Sequence, residues 1–306
     1  MLRDDARRVV VGAITASRIA VPAGRLMVPG TDGDPGAGAR TSWSTSSDLG
    51  PRLAVLAHWD AQGRFGESAR QTALGLREAG FEVLVASTAD VEHADLVADV
   101  GDDAVAVLSR PNVGYDFGSW AAGIDALRAA DAHPERLVLL NSSMYGPVTP
   151  LGAMLDRLWA TGADVMGATE SREFRPHLQS WFLAFSQRAW DSERFASYWR
   201  RIRPANDKWG TILAHEQRWA TDLALPGTPP AVAVSARTLG TRRNPLTFTW
   251  REVVLAGVPF VKRSLFFDNY DHVDMMGWQS FLAEHAPGYD VGIVERDLER
   301  LRGGAT

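Results

Sequence analysis

From Arg52 onward, short apolar runs alternate with stretches whose apolar positions recur at helical spacing. "RLAVLAHW" (52–59) is an apolar run closed by polar residues, the length and flanks of a buried strand. "GESARQTALGLREAG" (66–80) has helical spacing and stops at a glycine. "FEVLVAS" (81–87) is apolar again. Strand, helix, strand in that order predicts a βαβ unit, and so a parallel sheet.

The alternation continues, with strands expected at "DAVAVLS" (103–109), "RLVLLN" (136–141), "ADVMGATES" (163–171), "LQSWFLAFS" (178–186) and "AVAVSART" (231–238). Helices are expected over 119–131, with Ser119 near its start, and at "LGAMLDRLWATG" (151–162), "SERFASYWRRI" (192–202) and "GTILAHEQRWATDLALPG" (210–227). The last third is less regular: a helix at "FTWREVVLAG" (248–257), a short apolar "VPFVK" (258–262) and a terminal helix around 277–285. The fold class that follows is α/β, a Rossmann-type, mostly parallel central sheet flanked by helices. Upstream, "PGTDGDPGAGARTSWSTSSDLGP" (29–51) is dense in Gly, Pro, Ser and Thr and reads as a flexible linker. The expected organisation is therefore an extension and linker over 1–51, then a single domain over 52–306.

Composition narrows the function classes. The chain has 306 residues, a net charge of −5 and no cysteine. A mildly acidic chain lacks the basic field that holds a polyanion, so nucleic acid is excluded as the expected partner. Disulfides and cysteine metal sites are ruled out. A cytoplasmic location is expected, at or near the inner face of the membrane. The first residues, "MLRDDARRVVVGAITASRIAVPAGR", place arginines before a short apolar stretch. Two aspartates and the lack of a small-residue cleavage site set them apart from a secretory signal, so they read as an extension suited to peripheral membrane contact. Eleven tryptophans, against five tyrosines, suit either core packing or stacking on a sugar or base.

Two polar loops follow predicted strands. "RPNVGYDFG" (110–118) and "SSMYGPVTP" (142–150) would lie at the C-terminal edge of a parallel sheet, where α/β folds bind ligands. In the first, Gly114 and Gly118 let backbone approach closely, Asn112 and Asp116 offer polar contacts, and Tyr115 and Phe117 offer ring faces. Neither loop has the spacing of a Walker motif, a GxGxxG dinucleotide loop or a GxSxG elbow. Further along, "FFDNYDHVDMM" (266–276) gathers Asp268, Asp271, His272 and Asp274 and reads as an acidic surface turn rather than a metal cluster.

Five blocks, "RPNVGYDFGSW", "LVLLNSSMYGPVTP", "HLQSWFLAFS", "TILAHEQRWATDL" and "WREVVLAGVPFVKRSLF", resemble in order and spacing the rhamnan synthesis F family of bacterial polysaccharide assembly. The resemblance covers about residues 52–270. It implies a GT-A-like glycosyltransferase that takes a nucleotide sugar, dTDP-L-rhamnose or a related deoxysugar, and passes it with inversion to a polysaccharide or lipid-linked glycan acceptor. Arg110, Asn112, Gly114, Tyr115 and Asp116 would serve the nucleotide. Asn141-Ser142-Ser143 matches the Asp-x-Asp metal position, with Ser142 where the family pattern has an aspartate. Asn141 and Ser143 would contact the donor, and Ser143 a divalent metal, Mg²⁺ or Mn²⁺; neutral oxygens are poor ligands for such a hard cation. Lys262 and Arg263 would neutralise the departing diphosphate. Glu216 matches the acidic position of the general base. His177 and Gln179 would bind sugar hydroxyls, and Trp181 could serve as a platform. The competing expectation is a non-catalytic nucleotide-sugar or glycan-binding module on the same fold.

Overall fold

The computed structural model describes residues 36–44, 48–173, 175–202 and 215–303. Most of the 1–51 extension and the first part of the helix expected over 210–227 lie outside the described residues.

The centre is β2 (Arg52–His58), which pairs in parallel with β3 (Glu82–Ser87) on one side and β5 (Arg136–Asn141) on the other. β4 (Ala106–Ser109) continues the parallel set beyond β3. Past β5 the sheet turns antiparallel at β9 (Phe182–Ser186), then continues through β7 (Val165–Ser171) to β10 (Ala231–Val234), which runs parallel to β7. β8 (His177–Leu178) hangs on the end of β7, and β6 (Met144–Tyr145) pairs with β11 (Val261–Lys262) in a small separate ribbon. This is the mostly parallel α/β sheet that the alternation predicts.

Why β2 reads as an unbroken apolar run is visible in its packing. Ala54 and Leu56 join the layer containing Ala69, Ala73 and Leu76 of α1 (Glu67–Glu78). Leu53, Val55 and Ala57 join the opposite layer, with Phe117, Trp120, Ile124 and Leu127 of the helix over Tyr115–Ala129. Successive strand residues face opposite ways, so a strand covered on both faces is apolar throughout. The covering helices, in chain order, are α1, α2 (His93–Val100), α3 (Tyr115–Ala129), α4 (Gly152–Ala160), α5 (Gln187–Trp190), α6 (Glu193–Arg200) and α7 (Trp219–Leu223). They are followed by α8 (Pro245–Phe248), α9 (Trp250–Leu255), α10 (Trp278–His285) and α11 (Gly292–Gly303). Tyr145, Val254, Val261, Leu282 and Val294 share a third core cluster that ties the ribbon to the C-terminal helices.

Several features differ from what the sequence predicts. Residues 40–43, inside the expected linker, form β1 (Arg40–Trp43), an edge strand antiparallel to β4. Composition hid it because its stability comes from the β4 backbone rather than from an apolar pattern of its own. α3 begins at Tyr115, four residues before Ser119, so half of the expected loop is the first turn of a helix. The switch occurs at Gly114, left-handed at φ 81°, and the acidic Asp116 suits the positive helix start. Trp181 is core, with 5% of its surface exposed and its indole N–H on Thr169 Oγ1, so it offers no sugar platform. A further helix, α11, follows the one expected around 277–285.

Candidate functional site

Parallel pairing brings the ends of β2, β3, β4 and β5 to one edge of the sheet, and β7, joined to β5 through the antiparallel β9, runs the same way and ends there too. The two polar loops meet there. Asn141, the last residue of β5, donates its amide to Asp116 Oδ2 at 2.7 Å. Asn141 Oδ1 in turn accepts from the Ser143 hydroxyl at 2.5 Å and from the Ser143 backbone N–H at 3.2 Å. Asp116, Asn141 and Ser143 thus form one polar cluster across two chain segments. The ribbon adds a third: Lys262 pairs with Met144, and the Arg263 backbone N–H donates to Ser143 O at 3.0 Å.

The 110–114 turn is braced from beneath. Arg110 is buried, with its guanidinium on Ser119 Oγ and on the carbonyl of Val113. It shapes the turn from below; Pro111, Asn112 and, at the start of α3, Tyr115 are exposed. A Cβ on Gly118 would stand 2.2 Å from the Val113 carbonyl oxygen, so only glycine lets the first turn of α3 close over its own entry loop.

On the β7 side, the Ser180 backbone N–H reaches Glu216 Oε1 at 3.4 Å, and Arg175 donates to Gln217 O at 3.0 Å. Trp181 O accepts from Asn141 N, so Ser180 and Glu216 share the rim with the Asn141 cluster. His215 stacks at a tilt on Phe117 of α3, ring centroids 5.1 Å apart, which ties this segment to the first loop. His177 Nδ1 lies 2.9 Å from Arg175 O; a carbonyl only accepts, so this nitrogen carries the proton. Gln179 is buried, and its amide is turned to Asn244 Oδ1, the residue that caps α8.

Several groups at this edge escaped the sequence reading. His58 ends β2, is buried, and meets Ser87 Oγ at 2.9 Å. Burial pushes its pKa down to about 4, against the opposing pull of Asp60, so it is neutral near pH 7. Asp60 Oδ1 accepts from the backbone N–H of Gln62 and Arg64, and Arg300 of α11 grips both its oxygens at 3.0 and 2.6 Å. Asp297 accepts from Arg300 at 2.7 Å, Arg263 at 2.6 Å and the Tyr145 hydroxyl at 2.7 Å. Burial alone would raise both carboxyls; Arg300 at Asp60, and Arg263 with Arg300 at Asp297, outweigh it and hold both below the usual range. Arg263 also donates to Ser142 O at 3.2 Å, and Ser142 Oγ accepts from Trp59 N at 3.4 Å. The contacts close a ring through Trp59, Ser142, Arg263, Asp297, Arg300 and Asp60. Arg263, placed by sequence beside the diphosphate, is paired within this ring. The signal for Asp60 was the polar "HWD" ending a buried strand; Asp297 and Arg300 had none, because their partners are over 200 residues away for Asp60 and over 30 for Arg263.

Among the described residues, no group of three or more His, Cys, Asp or Glu side chains comes together to hold a metal. Asp116 is the carboxylate bonded to the Asn141–Ser143 turn. Asp268 accepts from the Tyr270 hydroxyl and Asp274 from the Met276 backbone, contacts of a surface turn.

The fold and the rim define an α/β protein with a large, mostly parallel sheet and two polar loops that meet at one of its edges. Residues 83–301 match the rhamnan synthesis protein F family, and the chain belongs to it. The protein y4gN of Sinorhizobium fredii is 32% identical over 125 residues, 40% of this chain and 33% of that protein. The virulence protein VirA of Vibrio anguillarum is 30% identical over 81 residues, 26% of this chain and 25% of that protein. The matched segments thus span a third or less of these relatives. Among solved structures, the mannosyltransferase PcManGT of Pyrobaculum calidifontis, in complex with GDP-Man and Mn²⁺, aligns over 86% of this chain and 83% of its own, at 14% identity and TM-score 0.38. Staphylococcus aureus TarS with UDP-GlcNAc aligns over 76% and 71%, at 11% identity and TM-score 0.37.

Proposed function

We propose that the protein is a nucleotide-sugar-dependent glycosyltransferase, with dTDP-L-rhamnose or a related deoxysugar as donor. The acceptor is a polysaccharide or lipid-linked glycan at the inner face of the cell membrane; none of the described helices is long and apolar enough to cross one. The observation that carries this reading is the Asp116–Asn141–Ser143 cluster, which joins two family-matching loops at the ligand-binding edge of the sheet.

In this reading, Asp116 accepts from ribose or base N–H and O–H groups, with Asn112 and Asn141 completing the polar set. Lys262, on the ribbon beside Ser143, meets the diphosphate as it departs. Glu216 takes the proton from the acceptor hydroxyl as that oxygen attacks the anomeric carbon from the face opposite the leaving group, giving inversion. His177 orients acceptor hydroxyls. Mg²⁺ is commonly held by one or two carboxylates together with substrate phosphates, and Asp116, joined to Ser143 through the Asn141 amide, is the carboxylate this turn offers. The metal would supply charge neutralisation at the diphosphate.

A second reading is favoured by Ser142: without an acid there, the fold could bind donor and not turn it over. Incubation with a panel of nucleotide sugars, with and without Mg²⁺ or Mn²⁺, separates the two. Thermal stabilisation plus nucleotide release supports the transferase. Stabilisation without release in the presence of acceptor glycans supports the binding module. No stabilisation by any donor sinks both.

A further inference from the structure

Trp59 stands out among the tryptophans. More than half of its surface, 54%, is exposed, whereas the other described tryptophans are buried or half-buried. An indole is the largest apolar side chain, and leaving it in water at one particular place is more informative than a buried one. Trp59 directly follows β2, at the ligand-binding edge and next to the Ser142 turn.

The backbone that carries it is held on both sides. His58 before it and Asp60 after it are both buried. Its own N–H is on Ser142 Oγ, and Asp60 is fastened by Arg300 and by the N–H groups of Gln62 and Arg64. A ring presented on so fixed a support loses little freedom when a ligand stacks on it. The charges nearby are matched: Asp60 and Asp297 against Arg263 and Arg300, paired at 2.6 to 2.7 Å. What this loop offers a ligand is therefore a flat apolar face beside a polar cluster. Ser142 separates Trp59 from Asn141 by one residue, and Asn141 holds Asp116. A planar ring with polar edges, joined to a hydroxylated sugar, matches that pairing of face and cluster.

We infer that Trp59 is a stacking residue for the nucleobase of a nucleoside diphosphate, held in position by the Asp60–Arg300 ion pair. The inference rests on the glycosyltransferase reading above and adds the residue that grips the base. Arg300 and Asp60 are positioning residues; Trp59 makes the contact.

The test titrates the wild type, Trp59→Phe and Trp59→Ser with dTDP, UDP, GDP and inorganic pyrophosphate by calorimetry. Base stacking on an aromatic face predicts that Trp59→Ser weakens the preferred nucleoside diphosphate by roughly tenfold or more. Trp59→Phe should stay within about threefold, because it keeps a ring. Pyrophosphate affinity should be the same in all three, since it has no base. Saturating nucleotide should also shield the exposed indole from acrylamide quenching in the wild type. Equal nucleotide affinity in the wild type and Trp59→Ser overturns the stacking role while leaving the transferase reading intact. Parallel loss of pyrophosphate and nucleotide marks a general disturbance of the loop and overturns it as well. A wild type that binds no nucleoside diphosphate removes the transferase reading, and the inference with it.

Discussion

His58 shows how far a single residue can be committed by its surroundings. Its imidazole is buried at the end of β2 and titrates near 4, below the roughly 6.5 of an unfolded chain. Between those values the unfolded chain binds more protons, so stability falls as pH drops from about 6.5 toward 4. The full difference is on the order of 3 kcal/mol. Denaturant unfolding at pH 7, 5.5 and 4.5 should show this decline, and His58→Gln should flatten it; an unchanged slope contradicts the burial argument. Gly118 makes a steric prediction. Gly118→Ala puts a methyl against the Val113 carbonyl, a rigid backbone atom, and should cost about 1–3 kcal/mol in unfolding free energy. Asp116→Ala is expected to weaken donor-nucleotide binding with the fold intact, as read by calorimetry beside circular dichroism. Unchanged affinity removes Asp116 from the site.

Among the elements, α11 is the one with the longest reach. Arg300 and Asp297 link the terminal helix to the loop after β2 and to the turn after β5. Arg300→Met leaves Asp60 buried without its cation, and breaking such a pair costs about 3–5 kcal/mol. Removing the acid as well, in Asp60→Asn/Arg300→Met, should recover part of that loss, a coupling that chemical denaturation of the four proteins of the cycle measures. Neither α11 nor β1 could be read from the chain. "ERDLERLR" is dominated by charge, and its role depends on partners far away in sequence. Arg40–Trp43 sits in a stretch whose composition signals a linker, and only the β4 edge makes it a strand. Strands β2, β3 and β5 were readable because both their faces are covered, which leaves an uninterrupted apolar run.

For the whole molecule, the sheet and the edge where α/β folds bind ligands follow from the alternation of strand and helix. The two loops that meet there follow from their positions after parallel strands. The contacts inside the edge do not. Spacing cannot tell that Arg110 and Gln179 are buried, that Arg263 is taken up by Asp297, or that one of the ten described tryptophans is displayed at the rim. Those outcomes depend on which side chains meet across the fold, and hydrophobic periodicity carries no record of them. The chemistry proposed for the rim hangs on Glu216 as base, and its variant offers the most direct test. Purified wild type and Glu216→Gln, given dTDP-L-rhamnose, a divalent metal and a glycan acceptor, would be compared for sugar transfer and for donor affinity. Glu216→Gln should lose transfer by roughly a hundredfold or more, the scale of a general base, while binding donor like the wild type. Equal transfer by the two proteins would contradict a role for Glu216 as base.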